Sequence, residues 1–131
     1  NPSKWGGDLQ SVIDTAKAYN IKFQFTEADV TQIEIEPTDL LFIDTWHCYD
    51  QLKLELSLHS DKVKKYICFH DTTTYAHRNE PLTSDHNWEE NVTPGKGVWD
   101  AVIEFLEDHK ETWELTERFE NNNGFTIIKR K

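Results

Sequence analysis

Apolar residues run without alternation at two places in this chain, Leu40-Leu41-Phe42-Ile43 and Tyr66-Ile67-Cys68-Phe69, and each run ends at once in chemistry. Asp44-Thr45-Trp46-His47 follows the first, and His70-Asp71 follows the second. Unbroken apolar runs of this length read as strands buried on both faces. The residues between them suffice for one crossover helix. That predicts parallel neighbours with Asp44 and His70-Asp71 at one sheet edge, where open α/β sheets place their ligand sites.

Elsewhere the pattern is periodic. Leu9, Val12, Ile13, Ala16 and Tyr19 share one helical face between Gly6-Gly7-Asp8 and Asn20, which predicts a helix over 8–19. Ile21, Phe23 and Phe25 alternate with polar residues and predict a strand that ends near Glu27-Ala28-Asp29. Over 51–60, Leu52, Leu54, Leu56 and Leu58 alternate as in a strand, yet the segment has no β-branched residue and must bridge two parallel strands, so a helix is expected. Val98, Trp99, Val102, Phe105, Leu106 and His109 mark a second amphipathic helix, entered through Pro94-Gly95-Lys96-Gly97. Trp113–Phe119 and Phe125–Ile128 flank a turn-rich Glu120-Asn121-Asn122-Asn123-Gly124 and predict an antiparallel hairpin. The 25 or so residues between Asp71 and Gly97 lack periodicity and read as a binding loop that starts at the strand end.

Composition narrows the partners. A chain of 131 residues, 37% hydrophobic, with five Trp and seven Phe, can bury a core. A net charge of −10 repels nucleic acid and anionic membranes at long range, so neither is expected as partner; a small molecule or a metal fits better. No stretch has the apolar length of a membrane span. Cys48 and Cys68 sit in apolar contexts and are read as inert, reduced residues, which suits a cytoplasmic protein. Methionine is absent even from position 1, and the expectation is that part of the protein lies upstream of Asn1. A homo-oligomer is compatible with the sequence.

Four groups of residues carry a family resemblance: Asp44-x-x-His47, Phe69-His70-Asp71-Thr72, Gly97-Val98-Trp99-Asp100-Ala101-Val102, and Asn123-Gly124-Phe125. With the order of elements, they resemble the class I S-adenosylmethionine-dependent methyltransferases, in the branch of metal-dependent sugar and macrolide O-methyltransferases and cephalosporin-hydroxylase-like proteins. The resemblance spans essentially the whole chain. It implies an α/β fold with a Rossmann-like, mostly parallel sheet closed by an antiparallel hairpin, in a single domain over 1–131. The family's opening strand and glycine-rich cofactor loop have no counterpart here, which implies a domain incomplete at its N-terminus.

For the site, the resemblance implies S-adenosylmethionine and a divalent metal, Mg²⁺ or Mn²⁺, as cofactors. Asp44, His70 and Asp71 become metal ligands, His47 the base that takes the acceptor hydroxyl's proton, and Asp29 and Asp44 cofactor-side residues. The resembling sugar methyltransferases have an acid where His70 stands, and an imidazole there shifts preference towards Mn²⁺, Fe²⁺ or Zn²⁺. Read without the family, two close carboxylates still call for a cation or proton between them. The same residues also admit plainer roles: Asp44 and Asp71 as caps, His47 and His70 as hydrogen-bonded residues, Asp29 as a turn residue. His77 and His86 lie on the long loop within reach of the strand ends, although loop histidines are usually solvated. The expected activity is O-methyl transfer to a hydroxyl of a sugar or other small polyol. A non-catalytic metal- or partner-binding domain is the alternative, and a metal-dependent hydrolase is a weaker third.

Overall fold

The computed structural model describes residues 8–81 and 92–131, in two compact units, 1–32 and 33–131. The first unit contains α1 (Leu9–Ala18), whose start is set by Asp8: its carboxylate accepts from the Gln10 N–H at 3.1 Å. Asn20, at φ 53°, ends the helix, and the Ile21 N–H reaches back to the Ala16 carbonyl at 2.7 Å. The strand expected over Ile21–Phe25 does not form. A strand exists only through a neighbour's hydrogen bonds, and none pairs here, so Ile21, Phe23 and Phe25 stay exposed.

Among the described residues, the second unit is an open sheet with two helices. Its elements are β1 (Thr38–Ile43), α2 (Tyr49–His59) with a 3₁₀ turn at Ser60–Lys62, β2 (Val63–His70), α3 (Val98–Asp108), β3 (Trp113–Phe119) and β4 (Phe125–Arg130). The strand order is β1-β2-β4-β3. Only β1 and β2 run parallel, with Leu41 beside Ile67 and Ile43 beside Phe69; β2–β4 and β3–β4 are antiparallel. The α/β class and the hairpin are therefore present, while the sheet is mixed rather than mostly parallel. The reason is topological: after α3 the chain enters a hairpin, and its second strand, β4, takes the place beside β2.

The 51–60 segment is helical, as composition favoured. Leu52 and Leu56 pack inward, and Leu58 is turned to solvent. The core lies on one sheet face, where Ile43, Ile67, Phe69 and Ile128 meet Leu52, Leu56, Val98, Ala101, Val102 and Phe105 of the two helices, with Trp113 at one end. On the opposite face Leu40, Phe42, Tyr66 and Phe119 are exposed. The expectation that both apolar runs are buried on both faces thus holds for one face only, because α2 and α3 lie on the same side. No helix among the described residues is long and apolar enough to cross a membrane.

Two glycines fix how the strand ends are framed. Gly124, at φ +98°, closes the β3–β4 turn, and a Cβ there would meet the Thr73 nitrogen at 2.4 Å. That close approach lets the Asn123 carbonyl accept from the Thr73 and Thr74 N–H groups at 2.8 and 3.0 Å, which ties the turn after Asp71 to the hairpin. A Cβ on Gly97 would lie 2.0 Å from the Tyr75 carbonyl oxygen, so the start of α3 packs directly on the backbone of the 75–78 loop.

Candidate metal centre at the parallel strand ends

Parallel pairing in register brings Asp44 and Asp71 to one edge, since each directly follows its strand, and Ile43 and Phe69 are neighbours. Asp71 takes a left-handed conformation at φ 59°, which aspartate tolerates better than most residues. The chain then makes a tight turn from Asp44 into α2, with the Cys48 N–H on the Trp46 carbonyl at 2.8 Å. Behind this turn the buried Glu55 accepts from the Thr45 hydroxyl at 2.6 Å and the Gln51 amide at 2.7 Å. The turn that carries Asp44 and His47 is thereby anchored to the helix.

His47 is held on three sides. Its Nδ1 lies 2.8 Å from Glu80 Oε2, and the Glu80 N–H donates back to the His47 carbonyl at 2.8 Å. The Tyr75 ring stacks on the imidazole at 4.7 Å between centroids and 3° between planes. A carboxylate only accepts, so Nδ1 carries the proton in that bond and the neutral ring keeps a lone pair on Nε2.

That Nε2 atom is where the site is unusual. It lies 2.9 Å from Asp71 Oδ2 and 3.5 Å from Asp44 Oδ1, yet it is buried and makes no hydrogen bond of acceptable geometry. The Asp71 contact is within ion-pair distance, but the direction of approach is wrong for an N–H donor, and direction decides whether a hydrogen bond exists. Two acceptors so close repel unless a positive species lies between them. One atom each from Asp44, His47 and Asp71 fall within 4.8 Å of one another, which is the reach of a shared ion. A cavity of about 10 Å³ beside them, lined in part by Asp44, His47 and His70, has room for a single ion or water.

His70, expected from the sequence as a ligand, lies beside the two carboxylates and outside the three-atom group. Its Nδ1 contacts Asp71 Oδ2 at 2.7 Å and is 3.8 Å from Asp44 Oδ1, so the ring braces the carboxylate on which His47 also converges. Asp44, Asp71 and Glu80 have only imidazoles as ionic partners among the described residues, and no Lys or Arg neutralises them. Asp29 belongs to the first unit, where its carboxylate accepts from the Thr31 hydroxyl at 2.7 Å and the Thr31 N–H at 2.8 Å. The hydroxyl bond first, then the backbone bond, lowers its pKa. His77 is exposed and paired with Asp100 at 2.9 Å, at the start of α3, and His86 lies outside the described residues. Cys48 and Cys68 are free and buried, and burial raises both thiols, as the inert reading expected.

Glu80 and Tyr75 were not singled out from the sequence. Both lie on the aperiodic loop after β2, where nothing local marks one carboxylate or ring above another. The loop is stapled to the start of α2: the Tyr49 N–H donates to Asn79 at 2.9 Å, Asn79 donates to the Thr93 carbonyl at 2.9 Å, and Thr93 donates to Asp50 at 2.6 and 2.9 Å.

No protein-family model, curated protein or solved structure matches this chain.

Proposed function

We propose that the chain holds one divalent transition-metal ion between Asp44, His47 and Asp71, as part of a metal-assisted O-methyltransferase that uses S-adenosylmethionine. The observation that carries the metal is the buried His47 Nε2, close to two carboxylates without a hydrogen bond to either. Support for methyl transfer is the residue resemblance at Asp44-x-x-His47 and Phe69-His70-Asp71-Thr72. A two-carboxylate, one-imidazole set suits Mn²⁺, Fe²⁺ or Zn²⁺ better than Mg²⁺, whose preferred ligands are oxygens.

The roles of the chain's own groups follow from the contacts. Glu80 fixes the tautomer of His47, the Tyr75 ring fixes its plane, and His70 fixes Asp71, in the way outer partners orient metal ligands. A bound divalent ion would supply Lewis acidity, lowering the pKa of an acceptor hydroxyl without a strong base. His47 then acts as a ligand, where the sequence reading made it a base.

Calorimetric titration of the chain with Mn²⁺ at neutral pH tests this, with one ion expected per chain. Asp44→Asn and His47→Ala should each weaken binding by at least tenfold. Unchanged binding by His47→Ala would remove the imidazole from the ligand set and return it to the proton-acceptor role. No binding at millimolar Mn²⁺ or Zn²⁺ would make the cluster a structural ion-pair group.

A further inference from the structure

We propose that the chain carries a second ligand site, a pocket for a small organic cation, where the C-terminal ends of α2 and α3 come together. It shares no residue with the metal centre and stands independently of it.

The pocket is a cavity of about 320 Å³ between the two helices, in the size range of small-molecule sites. Its apolar floor is Leu56, Ala101 and Phe105, all buried. Asp61, Asp108 and His109 are among the polar residues that complete the lining. The carboxylates of Asp61 and Asp108 make no hydrogen bond or ion pair among the described residues. The one ammonium in the lining, that of Lys53, is already engaged by Glu104 at 2.9 Å and the Tyr49 hydroxyl at 3.3 Å.

Local electrostatics point the same way. A helix C-terminus is the negative end of the backbone dipole and is normally matched by Lys or Arg in the last turn. The last turn of α3 has no basic residue and instead carries Glu107 and Asp108, an arrangement that an external cation would relieve. The Nδ1–H of His109 donates to the Phe105 carbonyl at 2.9 Å, so the neutral ring presents Nε2 as an acceptor. Two carboxylates and one imidazole acceptor above an apolar floor suit an alkylammonium ion, with three N–H donors and a hydrocarbon tail. Anions are repelled, and a neutral analogue gains only the floor contacts. The chain's net charge of −10 raises the local concentration of such cations.

The test is titration of the 131-residue chain with pentylammonium at pH 7, against pentan-1-ol and pentanoate, followed by amide ¹H–¹⁵N shifts. The expected result is a saturable response confined to 53–61 and 101–109, with the ammonium bound roughly tenfold more tightly than the alcohol and pentanoate not bound. Asp61 and Asp108 are exposed, so the double variant Asp61→Asn, Asp108→Asn should keep its fold and bind ammonium no better than alcohol. Equal affinity for ammonium and alcohol would overturn the proposal, as would undiminished ammonium binding by the double variant. So would the absence of a saturable response, or shifts centred on Asp44 and Asp71 instead.

Discussion

Gly97→Ala tests whether the packing of α3 on the 75–78 loop is what holds the candidate metal centre together. A Cβ at position 97 would sit 2.0 Å from the Tyr75 oxygen, 2.6 Å from the Arg78 nitrogen and 2.7 Å from the Arg78 oxygen, where ordinary contact begins at 3.4 Å. All three obstacles are backbone, so no side chain can rotate away, and the loop must retreat by about 1.4 Å on the Tyr75 side. That retreat breaks the 2.9 Å bond from the Val98 N–H to the Tyr75 carbonyl. Overpacking of this kind costs about 1–3 kcal/mol and the lost buried hydrogen bond about another 1, so a destabilisation of about 2–4 kcal/mol is expected in urea unfolding. Gly95→Ala is the internal control. Gly95 has nothing within 4 Å but sits at φ +72°, so its cost is conformational only, about 1 kcal/mol. The same loop carries Tyr75 and Glu80 against His47, so Gly97→Ala should also weaken Mn²⁺ binding by about 10–100-fold, as losing an outer partner does, and Gly95→Ala should not. A Gly97→Ala protein as stable as Gly95→Ala, with full metal affinity, would refute the link between this contact and the site.

Two further predictions concern stability. Lys96 first, then the Tyr49 hydroxyl and Lys53, hold the Glu104 carboxyl down at about 2 from its usual 4.5. A carboxylate depressed in the folded state adds stability that is complete above its unfolded pKa and fades as pH falls towards the folded one, so the wild type should lose this contribution between about pH 4.5 and 2. Glu104→Gln should flatten stability across that acid window and, because solvent screens the partly exposed group, cost only about 1 kcal/mol at pH 7; an unchanged acid limb would sink this account. Thr72 and Thr126 are fully buried, and the Thr126 hydroxyl donates to that of Thr72 at 2.9 Å. Thr126→Val should cost about 1–3 kcal/mol by stranding Thr72, and adding Thr72→Val should recover part of the loss; additive costs in the double-mutant cycle would show that the pair is uncoupled.

The local signals that survived folding are those whose cause is local. The spacing of Leu9, Val12, Ile13 and Ala16, and of Val98, Val102 and Phe105, yields helices because the 3.6-residue period makes one apolar stripe, whatever that stripe meets. The polar Asn121–Gly124 stretch yields a turn because Asn122, Asn123 and Gly124 take the left-handed conformation their residue types tolerate. The meeting of Asp44 and Asp71 was also legible: two apolar runs joined by a helix-length segment leave little choice but parallel pairing.

What the tertiary structure decided are the long-range choices. Alternation at Ile21, Phe23 and Phe25 makes a strand only if another strand offers its hydrogen bonds, and none does. Leu40, Phe42 and Tyr66 look buried in the apolar runs, but burial needs a covering layer, and α2 and α3 both lie on the opposite face. The sheet is mixed because β4 pairs with β2 across 55 to 63 residues, a contact that no local pattern encodes. Within the site, the four residues near the strand ends could be read from the sequence, and their roles could not. A histidine three residues after an aspartate can be base, ligand or cap. The contacts that favour a ligand come from Glu80 and Tyr75, which reach His47 only because Gly97 lets α3 press their loop against the parallel strand ends.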